Sequence, residues 1–255
     1  MSTAANQTAA TGKMVNGPAT GGSGAHKLSD SDRTGRKREY RSPRRLAAAR
    51  ETRARICAAA RELFLADGYA ATSIRAIASA AGVAEKTVYL QFATKSAVLK
   101  MVVETAIVGN DEAVPAAGQS WFLEAVAETD LDRKLEQLVA LTCDLHQRSG
   151  PVFAVARGAA AVDPDVAALW AAGKQGHLAD MTRMARSFQE TGLLPPGQDV
   201  ESATTTLYVL LGPETWHLIR KELGQDETAY RTWLSNALRQ AFQATPTADG
   251  QASRP

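Results

Sequence analysis

The stretch TSIRAIASAAGVAEKTVYLQF, from Thr72 to Phe92, decides the fold of this 255-residue chain. Thr72 and Ser73 are residue types that cap helices, and the apolar residues after them recur at helical spacing until Gly82. Beyond that glycine a second short helix is predicted, from residue 84 or 85 to Phe92. Two short helices joined by a tight glycine turn are typical of a helix-turn-helix, at about residues 73–92.

The predicted second helix of this motif has one packing face, with Ala84, Val88 and Phe92, and one face offered to a partner. A helix of this kind fits the major groove of B-DNA, where its first residues reach the base edges. Lys86 can donate to guanine, Glu85 can accept from cytosine, and Leu90 can touch a thymine methyl group. Hydroxyl groups suited to phosphate oxygens belong to Thr72, Ser73, Thr87 and Tyr89.

Helices are also predicted on both sides of the motif. The apolar side chains from Ile56 onwards recur at helical spacing and predict a helix that begins near Leu46 and ends at Gly68. A fourth helix is predicted from Lys95 to Ile107. The positive N-terminal ends of the second and fourth helices offer two further sites for phosphate, near Thr72 and near Lys95.

The segment from about Arg50 to Ile107 resembles the DNA-binding domain of TetR-family transcriptional regulators. The resemblance implies that Tyr89 and Gln91 contact phosphate, that Lys95 anchors the fourth helix, and that the early third helix, from Ala84, reads bases. Gln91 stands where a His or Tyr is more usual in the family. The matching residues are Phe64, Gly68, Tyr69, Thr72, Ser73, Ile77, Ala78, Gly82, Val83, Thr87 to Tyr89, Phe92, Lys95 and Val98.

The formal net charge of +2 hides two unlike parts of the chain. Residues 1–105 hold 17 Lys and Arg against 8 Asp and Glu, whereas residues 106–255 hold 12 against 19. Such asymmetry indicates a nucleic-acid-binding portion joined to a portion with another task. We expect residues 1–45 to form a disordered basic arm. The arm either follows phosphates or enters a minor groove, or is only a solvated tail. Its candidate contacts are Arg36, Lys37, Arg38, Arg41, Arg44 and Arg45.

Beyond residue 107 the periodicity is helical almost to the end of the chain, and no segment has the pattern of a strand. Residues 245–255 are expected to be a flexible tail. The predicted fold class is all-α: an N-terminal three-helix helix-turn-helix domain at 46–107, joined to a larger helical ligand-binding and dimerisation domain at 108–244. The helices of the larger part are predicted at 130 or 132 to 150, 151–161, 164–191, 200–223 with a kink at Gly212 and Pro213, and 226–242.

The C-terminal half resembles the ligand-binding and dimerisation domain of the TetR family more loosely, in helix count and in the pattern LLGPETWHLIRKELGQDETAYRTWLSNAL. The resemblance implies that the last two helices pair with those of a second copy. Candidates for that apolar face are Leu210, Leu211, Leu218, Trp233, Leu234, Leu238 and Phe242. A pocket between the helices has as candidates Phe153, Trp170, His177, Met181, Met184, Tyr208, Trp216 and His217. Ordinary core packing is the alternative for both sets.

The sequence predicts neither catalysis nor a metal site nor a cofactor. Cys143, Asp144 and His146 form the only compact group of reactive residue types, and Asp144 and His146, two residues apart, do not face each other on a helix. The chain has no HExxH motif and no GxxxxGK phosphate loop. We therefore predict that the protein is not an enzyme.

A cytoplasmic location without a membrane partner is predicted. The most apolar uncharged run, Ser202 to Pro213, has 12 residues, whereas about 20 are needed to cross a bilayer. The N-terminus lacks the basic and apolar regions of a secretory signal, and two cysteines are too few for a disulfide framework.

The predicted function is sequence-specific transcriptional regulation by a homodimer bound to a palindromic operator in double-stranded DNA. Repression, and release of the operator by a small-molecule effector, are what the family resemblance implies. The alternative is a helical binding or scaffold protein whose basic arm contacts nucleic acid without sequence preference.

Overall fold

The structure, a computed structural model, describes residues 43–109 and 116–243, with side chains from residue 45 onwards. Within these ranges the chain is helical and has no strand, as the sequence predicts. The predicted disordered arm, apart from its last residues, and the predicted C-terminal tail lie outside the described residues. The helices are α1 (Pro43–Ala71), α2 (Ile74–Ala80), α3 (Glu85–Phe92), α4 (Lys95–Val108), α5 (Ser120–Ala127), α6 (Leu131–Ala160), α7 (Pro164–Glu190), α8 (Val200–Leu210), α9 (Pro213–His217) and α10 (Glu227–Phe242).

Helix starts follow the capping residues in the sequence. Ser73 accepts a hydrogen bond from the N–H of Ala76 at the start of α2, and Thr94 accepts one from the N–H of Ala97 at the start of α4. Each such cap stabilises its helix by about 1 kcal/mol. The carboxylates that cap the later helices in the same way are Asp130, Asp163, Asp199 and Asp226.

The first four helices pack around one apolar cluster. Ile56, Ile77, Val88 and Val98 are completely buried in it. The cluster also takes in the last turns of α6 and the first turn of α7, through Val152, Ala156, Ala159 and Val166. The helix-turn-helix thus shares its core with the larger part of the chain. The regular helical geometry of α1 is interrupted at Gly68, whose φ of 79° lies in the left-handed region that favours glycine. The sequence predicts the end of the helix at this residue.

The prediction of two separate helices around Pro151 is wrong. Residues 131–160 form one helix, α6, with Pro151 inside it. Proline lacks the N–H that would donate the next backbone hydrogen bond of the helix. Helix α6 nevertheless packs against four other helices, α1, α4, α7 and α10. This burial outweighs the missing hydrogen bond. The sequence analysis also did not anticipate α5, a short helix in front of α6.

A second apolar cluster holds α5, α6, α7, α8 and α10 together. Its fully buried members include Phe188, Leu207, Tyr230 and Leu234. Lys134 is also completely buried there, and its Nζ donates to the carbonyl oxygens of Val126 and Glu128 at the end of α5. Burial lowers the pKa of this lysine to about 8.

Instead of one kinked helix, the predicted segment 200–223 contains three parts. Helix α8 ends at Leu210, α9 spans Pro213–His217, and Leu218–Glu222 forms a π-helical turn. The wide turn is closed by the N–H of Leu223, which donates to the carbonyl of Leu218 at 2.9 Å. This irregular stretch packs against the middle of α6.

Candidate nucleic-acid interface

Helix α3 presents the face that its sequence predicts. Val88 and Phe92 are buried, while the side chain of Tyr89 is 49% exposed and that of Leu90 is 76% exposed. Glu85 and Lys86 are exposed at the N-terminal end of the helix. Neither side chain forms a hydrogen bond or an ion pair with another residue that the structure describes. These four side chains are therefore free to meet a partner.

The start of α3 leaves backbone groups available as well. Ala84 occupies the cap position, is exposed, and has no side chain that could accept a hydrogen bond from the first turn. Such open N–H groups at a helix start attract anions. Ser73, Thr87 and Gln91 are exposed or half-buried around the same end of the bundle, although the Ser73 hydroxyl already caps α2.

Two predicted phosphate contacts are corrected by the structure. Thr72 is only 2% exposed, and its hydroxyl donates to the carbonyl of Gly68 at 2.8 Å. Lys95 points inward: its Nζ donates to the carbonyls of Tyr69 at 2.8 Å and Thr72 at 3.0 Å. Lys95 thereby holds the start of α4 against the end of α1, which agrees with the anchoring role that the family resemblance implies, whereas Thr72 closes the end of α1 on itself.

Further exposed basic side chains lie on α1 and α2. Arg45 is exposed in the first turn of α1, and Arg50 follows it on the same helix. Arg75, which the sequence analysis did not select, is exposed in the first turn of α2. Arg75 could have been selected from the sequence, because it lies two residues after the Ser73 cap, in the first turn of the motif's first helix. The side chain of Arg44 and the more N-terminal arm residues lie outside the described part of the chain.

A hydrogen bond between two side chains joins the helix-turn-helix to the larger part of the chain, in addition to the bond that Arg148 donates to the carbonyl of Ile107. The Tyr69 hydroxyl, at the end of α1, donates to Oδ2 of Asp163 at 2.7 Å. Asp163 also caps α7 by accepting from the N–H groups of Asp165 and Val166. Burial and this bond raise the pKa of the Tyr69 phenol, while the donated hydrogen bond holds the pKa of the Asp163 carboxyl below its usual range. We call Tyr69, Lys95 and Asp163 the junction.

A shallow, open cleft lies between α6, the N-terminal half of α7 and α9, and its enclosed volume is only about 10 Å³. Its walls are mainly apolar, and the rings of Phe153 and Trp170 meet edge to face with centroids 6.0 Å apart. Near its rim Lys174 and Glu214 form an ion pair at 2.5 Å. The lining residues are Gly150, Phe153, Ala154, Arg157, Trp170, Pro213, Glu214 and His217.

A buried histidine lies next to this cleft, and the sequence analysis considered it only as part of an improbable reactive trio. His146 is 2% exposed, and its ring centroid lies 6.3 Å from that of Phe153 and 6.1 Å from that of Trp216. Its Nε2 lies 3.0 Å from the carbonyl oxygen of Leu211. In the sequence, His146 lies four residues before Gly150, and this spacing places both on the same face of a helix.

The comparisons with known proteins agree with this geometry. A family model described as "Bacterial regulatory proteins, tetR family" matches residues 56–102. Over these residues the chain is similar to the TetR family. Family and fold together support a function in DNA-binding transcriptional regulation. A search of curated proteins finds no match.

Solved structures share the TetR-family fold over most of the chain. A TetR-family transcriptional regulator from Mesorhizobium loti is 19% identical, with a TM-score of 0.57, and the match covers 75% of this chain and 95% of that one. NalD, the secondary repressor of the MexAB-OprM multidrug efflux pump in Pseudomonas aeruginosa, is 18% identical over 76% and 97%, with a TM-score of 0.58. A transcriptional regulator from Saccharomonospora viridis in complex with choline is 21% identical over 73% and 94%, with a TM-score of 0.54.

The eight pocket candidates do not all lie in one place. Phe153, Trp170 and His217 line the cleft. Trp216 lies beneath it against Gly150, and His177 and Tyr208 stack with ring centroids 4.9 Å apart. Met181 and Met184 are instead buried in the second apolar cluster, where they pack among core side chains. Their selection as pocket residues is therefore corrected.

The candidates for the dimer surface of the TetR-family fold also divide. Leu211, Leu234, Leu238 and Phe242 are at most 6% exposed because they pack inside the protomer, so they cannot form an exposed apolar face. Leu210 is half-buried. Trp233 and Leu218 are exposed, and the structure adds two exposed apolar side chains that the sequence analysis did not select, Val209 and Leu223.

Within the described residues, no three His, Cys, Asp or Glu side chains are grouped so that they could hold a metal ion. Cys143 is buried, and burial raises the pKa of its thiol. The helices of the described chain are all too short or too polar to cross a bilayer.

Proposed function

We propose that this chain is a homodimeric repressor that binds a palindromic operator through α3 of each protomer and leaves it when a small molecule occupies the cleft. It acts in the cytoplasm and catalyses no reaction. The observation that supports this most is the free face of α3, where Glu85, Lys86, Tyr89 and Leu90 project from a rigid helix-turn-helix without internal partners among the described residues. A helix held in this way presents its first turn to base edges.

The pairing of two copies follows from the geometry of DNA recognition. A single helix-turn-helix reads one half-site, and a two-fold dimer reads two half-sites in register. The exposed apolar side chains of the last helices, among them Leu218 and Trp233, are suited to that contact. NalD, which shares the fold, is a repressor.

The cleft is the proposed effector site. It is apolar with a few polar groups, as small-molecule sites usually are. The related Saccharomonospora viridis regulator was crystallised with choline, so the fold can hold a small ligand. An effector releases the operator only if it favours a dimer whose α3 helices no longer fit the two half-sites.

The proposal is tested by selecting binding sites for the purified chain from random duplex DNA. A two-fold symmetric consensus is the expected result. Binding that shows no sequence preference would favour the scaffold alternative instead. With the selected duplex, a change in Kd on adding candidate small molecules then tests release.

Lys86→Ala is expected to relax base preference at one position of each half-site. If Lys86 makes a good base contact, its loss costs roughly 1 to 3 kcal/mol of discrimination. Titrations of the operator and of single-base variants measure this discrimination. Arg61→Ala is the matched control, because Arg61 is an exposed basic residue in the middle of α1. An equal loss on all duplexes would mean that Lys86 contacts only phosphate.

In Tyr69→Phe and in Asp163→Asn, the change in operator Kd that the effector causes is expected to shrink several-fold. The operator Kd without effector is expected to change less. The reason is that Asp163 caps α7, which lines the cleft through Trp170, while Tyr69 ends α1. Operator Kd with and without effector, for both single variants and the double variant, gives the coupling between the two residues. Additive effects in the double variant would show that the junction does not transmit the signal.

A further inference from the structure

The ring of Trp216 fills a socket that only glycine can provide. A Cβ atom at position 150 would lie 2.4 Å from Cζ3 and 2.5 Å from Cη2 of that ring. The indole thus rests on the backbone of α6, and its ring contacts that of His146, whose ring also meets that of Phe153 edge to face. The socket is next to the cleft, which Gly150 and Phe153 also line.

His146 brings an unused hydrogen-bond acceptor to this socket. Because Nε2 faces a carbonyl oxygen, it carries the proton and donates to Leu211. Burial, the largest influence, lowers the pKa of the imidazole to about 4, so the ring is neutral at physiological pH. Nδ1 then offers a lone pair, and among the described residues it has no partner. A buried acceptor without a donor destabilises the site until one arrives.

The segment that carries Trp216 is short and irregular. Helix α9 has only five residues, begins at Pro213 and runs directly into the π-helical turn. Single π-helical turns are rare and are frequently found at functional sites. Displacing Trp216 therefore disturbs one short element and leaves the long helices α6 and α7 intact.

We propose that the effector is an uncharged, planar aromatic molecule with an N–H or O–H donor, which takes the place of the Trp216 ring on Gly150 and donates to Nδ1 of His146. This inference rests on the proposed effector site and names the ligand class that it takes. The aromatic walls select a flat ring system. The ligand is expected to carry no net charge, because Lys174 and Glu214 neutralise each other and an unpaired charge is costly to bury. Arg157, which also lines the cleft, could pair with an anion, and the carboxylate probe below tests this.

Calorimetric titration of the full chain with matched probes tests the proposal. Indole carries the donor, 1-methylindole lacks it, and indole-3-carboxylate adds a charge. Indole is expected to bind roughly tenfold more tightly than 1-methylindole, as the loss of one buried hydrogen bond implies. Indole-3-carboxylate is expected to bind more weakly than indole. Tighter binding of the carboxylate would assign recognition to Arg157 at the cleft and overturn the proposal.

Variants of the full chain test the Gly150 socket and the His146 acceptor separately. Trp216→Ala is expected to bind indole at least tenfold more tightly than the unaltered chain, because no ring has to be displaced. Trp121→Ala, which removes a half-buried tryptophan of α5, is the control and leaves indole binding unchanged. His146→Phe is expected to abolish the preference for indole over 1-methylindole. His146→Gln, which keeps a donor for Leu211 and an acceptor, retains it. Circular dichroism identifies any variant that fails to fold, and the probe preference of the unaltered chain then decides alone.

The outcomes also separate this inference from the proposed function. If indole binds with the expected preference but leaves operator affinity unchanged, the ligand class is correct and ligand release is wrong. If other molecules release the operator while neither indole nor 1-methylindole binds, release is correct and the ligand class is wrong. Equal binding of the two indoles, or a preference that survives in His146→Phe, overturns the role of His146.

Discussion

Gly150→Ala lowers the free energy of unfolding by about 2 kcal/mol. In an exposed helix interior the same change raises it by about 1 kcal/mol, because alanine is the better helix former. At position 150 the added methyl group meets the six-membered ring of Trp216 at 2.4 Å, a distance that no relaxed structure tolerates. Overpacking of this kind costs roughly 1 to 3 kcal/mol. The new Cβ also crowds the ring of Pro151, which follows it in α6.

Urea unfolding followed by circular dichroism measures this effect. Gly173→Ala is the matched control, since it lies within α7 with open space at its Cβ position and is expected to stabilise the protein. Replacing the indole as well, in Gly150→Ala/Trp216→Leu, should recover most of the loss that Gly150→Ala causes. A double variant no better than the additive sum would place the strain at Pro151 and not at Trp216.

The helix-turn-helix was predictable because its signals are local. Ser73 caps α2, Gly82 ends it, and the apolar spacing up to Phe92 fixes which side of α3 packs. Each of these depends on residues within a few positions of one another. The exposed face of α3, with Lys86 and Tyr89, follows from the same periodicity and matches the structure.

The features that the sequence analysis missed depend on contacts between distant residues. Helix α6 continues through Pro151 because four other helices pack around it, which no local pattern records. Thr72 has a hydroxyl suited to phosphate, but this hydroxyl donates to the carbonyl of Gly68, where α1 is kinked. The partner of Tyr69, Asp163, lies 94 residues further along the chain.

The second large effect expected is an acid sensitivity that belongs to His146. Burial lowers the pKa of its imidazole from 6.5 to about 4, against the smaller influence of its bond to Leu211. Between these two values the unfolded chain binds a proton that the folded chain does not. The free energy of unfolding therefore falls as the pH drops from 6.5 to 4, and above pH 6.5 this contribution is fully present.

A shift of this size corresponds to about 3 kcal/mol, which is a large share of the stability of an ordinary domain. Urea unfolding at pH 7 and pH 4, for the unaltered chain and for His146→Gln, isolates it. Other groups near His146, including His177 and Glu214, titrate in both proteins and cancel in the difference. The unaltered chain should lose about 3 kcal/mol more than His146→Gln over this range. If both lose the same amount, His146 accepts a proton without opening the core, and the neutral acceptor that the effector needs is not held there.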